Sequence, residues 1–264
     1  MTAYDTLDLA RDTRGVVTVT LNRPDKHNAM DAAMIGELKA CAETLGADPK
    51  VRAVILTGQG RSFCAGGDLG WMRTQMTADA ATRAREARAL AEMLGVWNRL
   101  PKPVIGRIQG QALGGGVGLM SVCDVAIASA SARFGLTETR LGLIPATIGP
   151  YVIARMGAAC VRRVFMSARI FGAEEAVALG LAARAVAPED LDAAIEAEVV
   201  PYLATAPGAV AEAKALALRL GGGVSEAEID STIDALIARW ESDEAAEGID
   251  AFFAKRPAPW MSET

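Results

Sequence analysis

The 264-residue sequence predicts an α/β fold, with strands and helices alternating to about residue 190 and a purely helical region after it. Two observations carry that expectation. Runs of β-formers closed by Gly, Pro and Asn turns are followed by segments with apolar residues at helical spacing. Beyond Pro188 the strand signals stop and only helical periodicity remains. Alternation of this kind packs helices against a sheet, and a chain this long, 51% hydrophobic, buries one large core.

Gly15-Val-Val-Thr-Val-Thr-Leu21 alternates apolar and polar β-formers and reads as a strand. Asn22-Arg-Pro-Asp-Lys-His-Asn28 breaks it, and Asn28 is a candidate helix cap with Asp31 at the capping-box position. Met34, Leu38, Cys41, Ala42 and Leu45 then give the first helix one apolar stripe. Asp48-Pro49 ends it, and Val51–Thr57 reads as a buried strand running into Gly58-Gln-Gly60. A long polar helix spans Asp79 to Arg99 and is closed by Pro101 and Pro103. Val104–Ile108 and Val125–Ala128 are strands, with a Gly-rich stretch and a short helix between them.

The helical region divides into Asp190–Ala204, Pro207–Leu220, Ser225–Trp240 and Ser242–Lys255, with Gly221-Gly-Gly223 as a break. Ser225-Glu-Ala-Glu228 is a capping box, and Ile229, Ile233, Ile237 and Trp240 keep one face apolar. Such a region serves assembly or completes the core of its own chain. No internal repeat is visible.

Composition narrows the function. Lys+Arg total 27 against 32 Asp+Glu, a net charge of −5 that disfavours a general grip on nucleic acid. The single histidine, His27, excludes sites that need two, and no Gly-x-Ser-x-Gly elbow supports a hydrolase. Cys41, Cys64, Cys123 and Cys160 form no C-x-x-C pair, and Met1-Thr-Ala-Tyr-Asp5 carries no signal-peptide pattern. The longest uncharged run, Ile108 to Cys123, is too short and glycine-rich to span a bilayer. A cytoplasmic protein with no membrane partner is the expectation.

Three segments are candidates for chemistry. Phe63-Cys-Ala-Gly-Gly-Asp-Leu69 follows a strand, where small residues let backbone approach a ligand; it equally suits an ordinary connection. Gly110-Gln-Ala-Leu-Gly-Gly-Gly-Val-Gly118 opens a helix, whose free N–H groups suit a developing oxyanion; close helix packing explains it equally well. It fits neither a dinucleotide fingerprint nor a phosphate-binding loop. Glu138, in an apolar context, is a proton-transfer candidate unless Arg140 pairs with it. Arg23 and Lys26 make the first turn basic, and Trp71 and Met72 line an acyl pocket or the core.

In combination these segments resemble the crotonase (enoyl-CoA hydratase/isomerase) superfamily. The resemblance runs through Leu21-Asn-Arg-Pro-x-x-x-Asn-Ala29, Ser62-Phe-Cys-Ala-Gly-Gly-Asp68 and Gly110-x-Ala-Leu-Gly-Gly-Gly116. It continues through Cys123-Asp124, Phe134-Gly135, Glu138, Leu141-Gly-Leu-Ile-Pro145 and Phe252-Phe-x-Lys-Arg256. It implies a spiral of ββα units over residues 1–190 that binds acyl-CoA. Residues 191–264 would then be a helical region that builds homotrimers or hexamers and completes the CoA site.

By position in those motifs, the thioester oxygen sits between the N–H groups of Gly67 and Gly115, with Glu138 catalytic. Arg23 and Lys26 are candidates for the CoA phosphates, and the Cys64-Ala65-Gly66 backbone for the adenine. Asp68, Leu69, Trp71, Met72, Gly114 and Pro145 complete the implied contacts, while Phe252 and Lys255 match positions that reach a neighbouring subunit's CoA. Coenzyme A enters only as part of the substrate, and no further cofactor or metal is implied.

The sequence departs from the family at Gly118, where its hydratases carry a first glutamate, so the scheme with two carboxylates does not carry over. Gly118 is instead expected to leave room for acyl bulk or a second carboxylate. Gly116-Val-Gly-Leu119, Asp68–Met72 and Leu143–Pro150 resemble a bacterial branch that acts on 3-methylglutaconyl-CoA or isohexenylglutaconyl-CoA. Hydration of a branched 2-enoyl-CoA is the resulting expectation. A Δ3,Δ2-enoyl-CoA isomerase with a single proton shuttle is the alternative. A non-catalytic acyl-CoA-binding or RNA-binding homologue is a further one.

Overall fold

The computed structural model describes residues 4–261. β1 (Leu7–Arg11) and β2 (Val16–Leu21) form an antiparallel hairpin, and α1 (Ala32–Ala47) follows. Asp31, not Asn28, caps α1: its Oδ1 accepts from Met34 N at 3.0 Å. Asn28 is fully buried with a positive φ, a region Asn tolerates, and its side chain staples this turn elsewhere. Its Nδ2 donates to Gln59 O and Ser62 O, and its Oδ1 accepts from Arg23 N.

β3 (Ala53–Gly58) leads through a loop to α2 (Leu69–Thr77) and α3 (Ala80–Asn98), the latter capped by Asp79. β4 (Val104–Ile108) is followed almost at once by β5 (Gln111–Leu113) and α4 (Gly115–Ser121). β6 (Val125–Ser129) and β7 (Arg133–Gly135) precede a 3₁₀ turn at Glu138–Leu141, then α5 (Gly149–Met156) and α6 (Ala158–Phe165). β8 (Ile170–Gly172), α7 (Ala173–Ala178) and β9 (Arg184–Val186) close this part.

The six-stranded sheet runs β1-β2-β3-β4-β6-β9, parallel from β2 onward, and a second sheet runs β5-β7-β8. Single bridges Met30–Gly67 and Cys64–Ala112 extend the second layer to earlier connections. Each turn of the chain thus places one strand in the large sheet, a short segment in the second layer, and then helix. This is a spiral of ββα units.

Strand alternation divides the core. Val17, Val19, Leu21, Val54 and Leu56 face one cluster with the α1 stripe, Met93, Leu94 and Trp97. Val16, Ala53, Ile105 and Ile127 face the other way, under α8 (Leu191–Leu203). α9 (Pro207–Leu220) buries none of its residues. α10 (Glu226–Trp240) has the capping box and lays Ile229 and Ile233 on Ala87 and Ala91 of α3. α11 (Asp243–Phe253) packs Ala245 and Ile249 on Leu143, beside the 3₁₀ turn. Three of the four helices therefore complete their own chain's core. No described helix is long and apolar enough to cross a membrane.

Candidate active site

Two successive turns of the spiral bring glycine backbone to one place. After β3, Met30 N donates to Gly66 O at 2.7 Å and Asp68 N donates to Met30 O at 2.8 Å. Because alternate peptide groups of an extended segment face opposite ways, the Gly67 N–H points away from Met30. One turn later Gly115 is the first residue of α4, so its N–H lies outside the helical hydrogen-bond ladder. Neither N–H has a hydrogen-bond partner among the described residues.

The two segments touch. A Cβ built on Gly66 would stand 3.6 Å from Gly115 N and 2.9 Å from Leu113 O, and the φ of +94° there also favours glycine. Gly114, with φ +47°, lets the chain turn under Glu138: a Cβ there would be 3.0 Å from Glu138 Oε1. A Cβ on Gly115 would meet the Met30 Cε methyl at 2.3 Å.

Glu138 opens the 3₁₀ turn after β7. Its Oε2 is buried and makes no hydrogen bond, and Arg140, on the exposed side of the turn, forms no ion pair with it. Burial disfavours the charged form and pushes the carboxyl up from 4.5 to about 7. A carboxyl with that pKa, beside free amides, can both take and return a proton near neutral pH.

These groups open into one largely apolar cavity of about 660 Å³. Of the sequence-derived candidates, Ala65, Gly66, Gly67, Gly114, Gly115 and Glu138 line it. Leu69, Trp71, Met72, Pro145, Phe252 and Lys255 line it from the helices and the loop before α5. Phe252 and Lys255 line the cavity of their own chain, because α11 folds back over the 3₁₀ turn.

The remaining candidates stand elsewhere. Arg23 bonds to Asp31 at 2.9 Å, Asp68 at 3.2 Å and the Ala29 carbonyl at 2.5 Å, which commits its charge to the fold. Asp68 caps α2, accepting from Gly70 N and Trp71 N, so it fixes the residue after Gly67 and does not line the cavity. Lys26 is exposed outside the cavity. The Cys64 thiol is buried and pushed up to about 12, and only its backbone serves the layer. Gly118 offers no open room: Ile148 Cγ2 lies 2.6 Å from where its Cβ would be.

Sequence reasoning passed over Met30, Ile148, Gln75 and Arg83, all of which line the cavity. Trp71 and Gln75 sit one turn apart on α2, and that spacing was the one signal for Gln75. Trp240, read as part of an apolar face, also lines the cavity, with the Arg83 guanidinium 5.4 Å above its ring. Among the described residues no cluster of three or more His, Cys, Asp or Glu side chains is placed to hold a metal ion.

Residues 11–263 match the family described as enoyl-CoA hydratase/isomerase. The chain is 32% identical over 244 residues to a putative enoyl-CoA hydratase of Thermus thermophilus, covering 92% of this chain and 96% of that one. It is 29% identical to a crotonyl-CoA hydratase of Syntrophomonas wolfei, over 99% of this chain and 100% of the relative. Among solved structures, AtuE of Pseudomonas aeruginosa superposes with a TM-score of 0.80 at 38% identity, over 98% of this chain and 100% of that one.

Proposed function

Because the chain belongs to the enoyl-CoA hydratase/isomerase family, we propose that its cavity takes a 2-enoyl-CoA thioester and adds water across the double bond. The observation that carries this is Glu138 Oε2, buried without a hydrogen-bond partner in a side chain that stands over Gly114, next to the free N–H of Gly115. The thioester oxygen accepts hydrogen bonds from Gly67 N–H and Gly115 N–H. Glu138 takes a proton from water as its oxygen bonds to C3. The π electrons move onto the thioester oxygen, giving an enolate, and the Glu138 proton then goes to C2. Each amide donor contributes about 3 kcal/mol to holding that negative charge.

One carboxylate both receives and returns the proton, because apolar Ile148 fills the space beside Gly118. The acyl group we assign is branched at C3, as in 3-methylglutaconyl-CoA; the resemblance of residues 68–72, 116–119 and 143–150 to the branch described above supports it. We also assign the chain to a homotrimer, for which the unburied α9, with Leu216 and Leu220 exposed, is the available surface. Gly118, where the family's hydratases carry their first glutamate, favours one other reading, a Δ3,Δ2-enoyl-CoA isomerase in which Glu138 carries a proton between C4 and C2.

Glu138→Gln is expected to lower hydration of crotonyl-CoA and 3-methylglutaconyl-CoA on the order of 10³-fold. Unchanged rates would remove Glu138 from the mechanism. Water activation needs the ionised carboxylate, so in the wild type kcat/KM rises with pH up to about 7 and then levels. Mass spectrometry of products formed in deuterated water separates the two readings. Hydration gives a hydroxyacyl product with deuterium at C2, whereas isomerisation exchanges C4 and adds no oxygen.

A further inference from the structure

The α2–α3 wall of the cavity carries polar side chains that the hydration step does not use. Gln75, on α2, is only 5% exposed and lines the cavity. Its side-chain amide has no hydrogen-bond partner among the described residues. Arg83, on α3, is half-buried and lines the same wall. Its Nε donates to Gln75 O at 2.9 Å and its Nη2 to Met76 O at 3.1 Å, which aligns the guanidinium with the end of α2. No described carboxylate forms an ion pair with it, and its face rests on Trp240. The carboxylate nearest in sequence on this face, Glu86, accepts from Trp71 Nε1 at 3.3 Å.

A side-chain amide and a guanidinium with spare N–H groups facing the cavity are badly matched to a plain hydrocarbon chain, which would cover them and leave them dry and unpaired. An oxygen acceptor at the far end of the acyl group would satisfy both. We propose that Gln75 and Arg83 form the specificity wall of the cavity and receive an acceptor oxygen at the far end of the acyl chain, most strongly a carboxylate. The inference rests on the assignment of this cavity to acyl-CoA. It goes further by naming the residues that read the chain's end and the chemistry they read. A site built to bond a substrate oxygen discriminates against the analogue that lacks it, because the site's own donors are then stranded.

Binding of saturated thioesters tests this without any turnover, so its failure is separable from failure of the hydratase assignment. Dissociation constants are measured by calorimetry for succinyl-, adipyl- and suberyl-CoA, for the ω-methyl esters, and for butyryl-, hexanoyl- and octanoyl-CoA. At the chain length that reaches the wall, the diacid is expected to bind about tenfold tighter than its monoacyl partner, with the ester between them. Gln75→Met and Arg83→Met are each expected to reduce that ratio several-fold, the diacid binding more weakly and the monoacyl thioester no more weakly than before, and an unchanged urea midpoint checks that the variants are folded. Arg83→Lys is expected to retain part of the preference for the diacid and to lose that for the ester. The proposal is overturned if no chain length favours the oxygen-bearing end. It is equally overturned if the preference survives in both methionine variants, or if no acyl-CoA binds at all; the last result would also defeat the acyl-CoA assignment, which the first two leave intact.

Discussion

Around Gly66, Gly67, Gly114 and Gly115 the backbone itself is the cavity wall, and at buried Gly116 behind it a Cβ would stand 2.3 Å from the Cys64 carbonyl oxygen. Across the cavity, α2, α3, α10 and α11 present side chains, several of them, such as Leu69 and Phe252, half in solvent. The glycine layer is locked by main-chain bonds between consecutive turns of the spiral, Met30 to Gly66 and Leu113 to Cys64 among them. The helical wall is held by apolar contacts between helices far apart in sequence. Under the proposed function, chemistry that needs sub-ångström placement of an N–H would sit on the first, and selection of the acyl group on the second. What differs is the tolerance of each to change.

The sharpest way to break this contrast is Gly116→Ala. The atom it meets is backbone, which cannot rotate aside, so a destabilisation of about 3 kcal/mol is expected in urea unfolding. Gly115→Ala meets only the tip of the flexible Met30 side chain at 2.3 Å and is expected to cost under about 1.5 kcal/mol. Equal costs would show that the layer is no more rigid at one glycine than at the other.

The same contrast explains what was legible in the sequence. Gly114–Gly116, the start of a helix at Asp79, the Ser225 cap and the α1 stripe are local signals, because each needs only residues within a turn or two. β5, β7 and β8 are three residues long and have no periodicity to read. α2 escaped because Gln75 is its one fully buried side chain, too little for an apolar stripe. That Arg83 meets Trp240, or that α11 returns Phe252 to its own cavity, depends on tertiary packing that no local spacing encodes. The surroundings of Arg23 are hidden for a related reason. A basic turn looks like a phosphate site until Asp31 and Asp68 are seen to close on it.

Arg23→Met sharpens the comparison from the side of the glycine layer. Losing the charged hydrogen bonds to Asp31, Asp68 and Ala29 O is expected to cost about 2 kcal/mol of stability, with no selective loss of CoA affinity relative to a pantetheine thioester. A phosphate contact would give the reverse, an unchanged urea midpoint and a weakened preference for the full CoA ester.

The smallest effect on stability is expected from the helical wall. Phe252 is 45% exposed, so Phe252→Ala removes little buried area and changes unfolding by under about 1 kcal/mol. It should still raise KM several-fold at nearly constant kcat, since the ring lines the cavity but stands apart from the proton transfer. The subunit it serves can be read separately. If each Phe252 closes its own cavity, mixing Phe252→Ala chains with Glu138→Gln chains forms no site with both residues intact, and the mixture keeps the raised KM. If the ring instead reached a neighbour, some mixed assemblies would contain one wild-type site, and a component with the original KM would appear. The absence of that component ties the helical wall to the same chain as the glycine layer, so that catalysis and selection are built by one polypeptide.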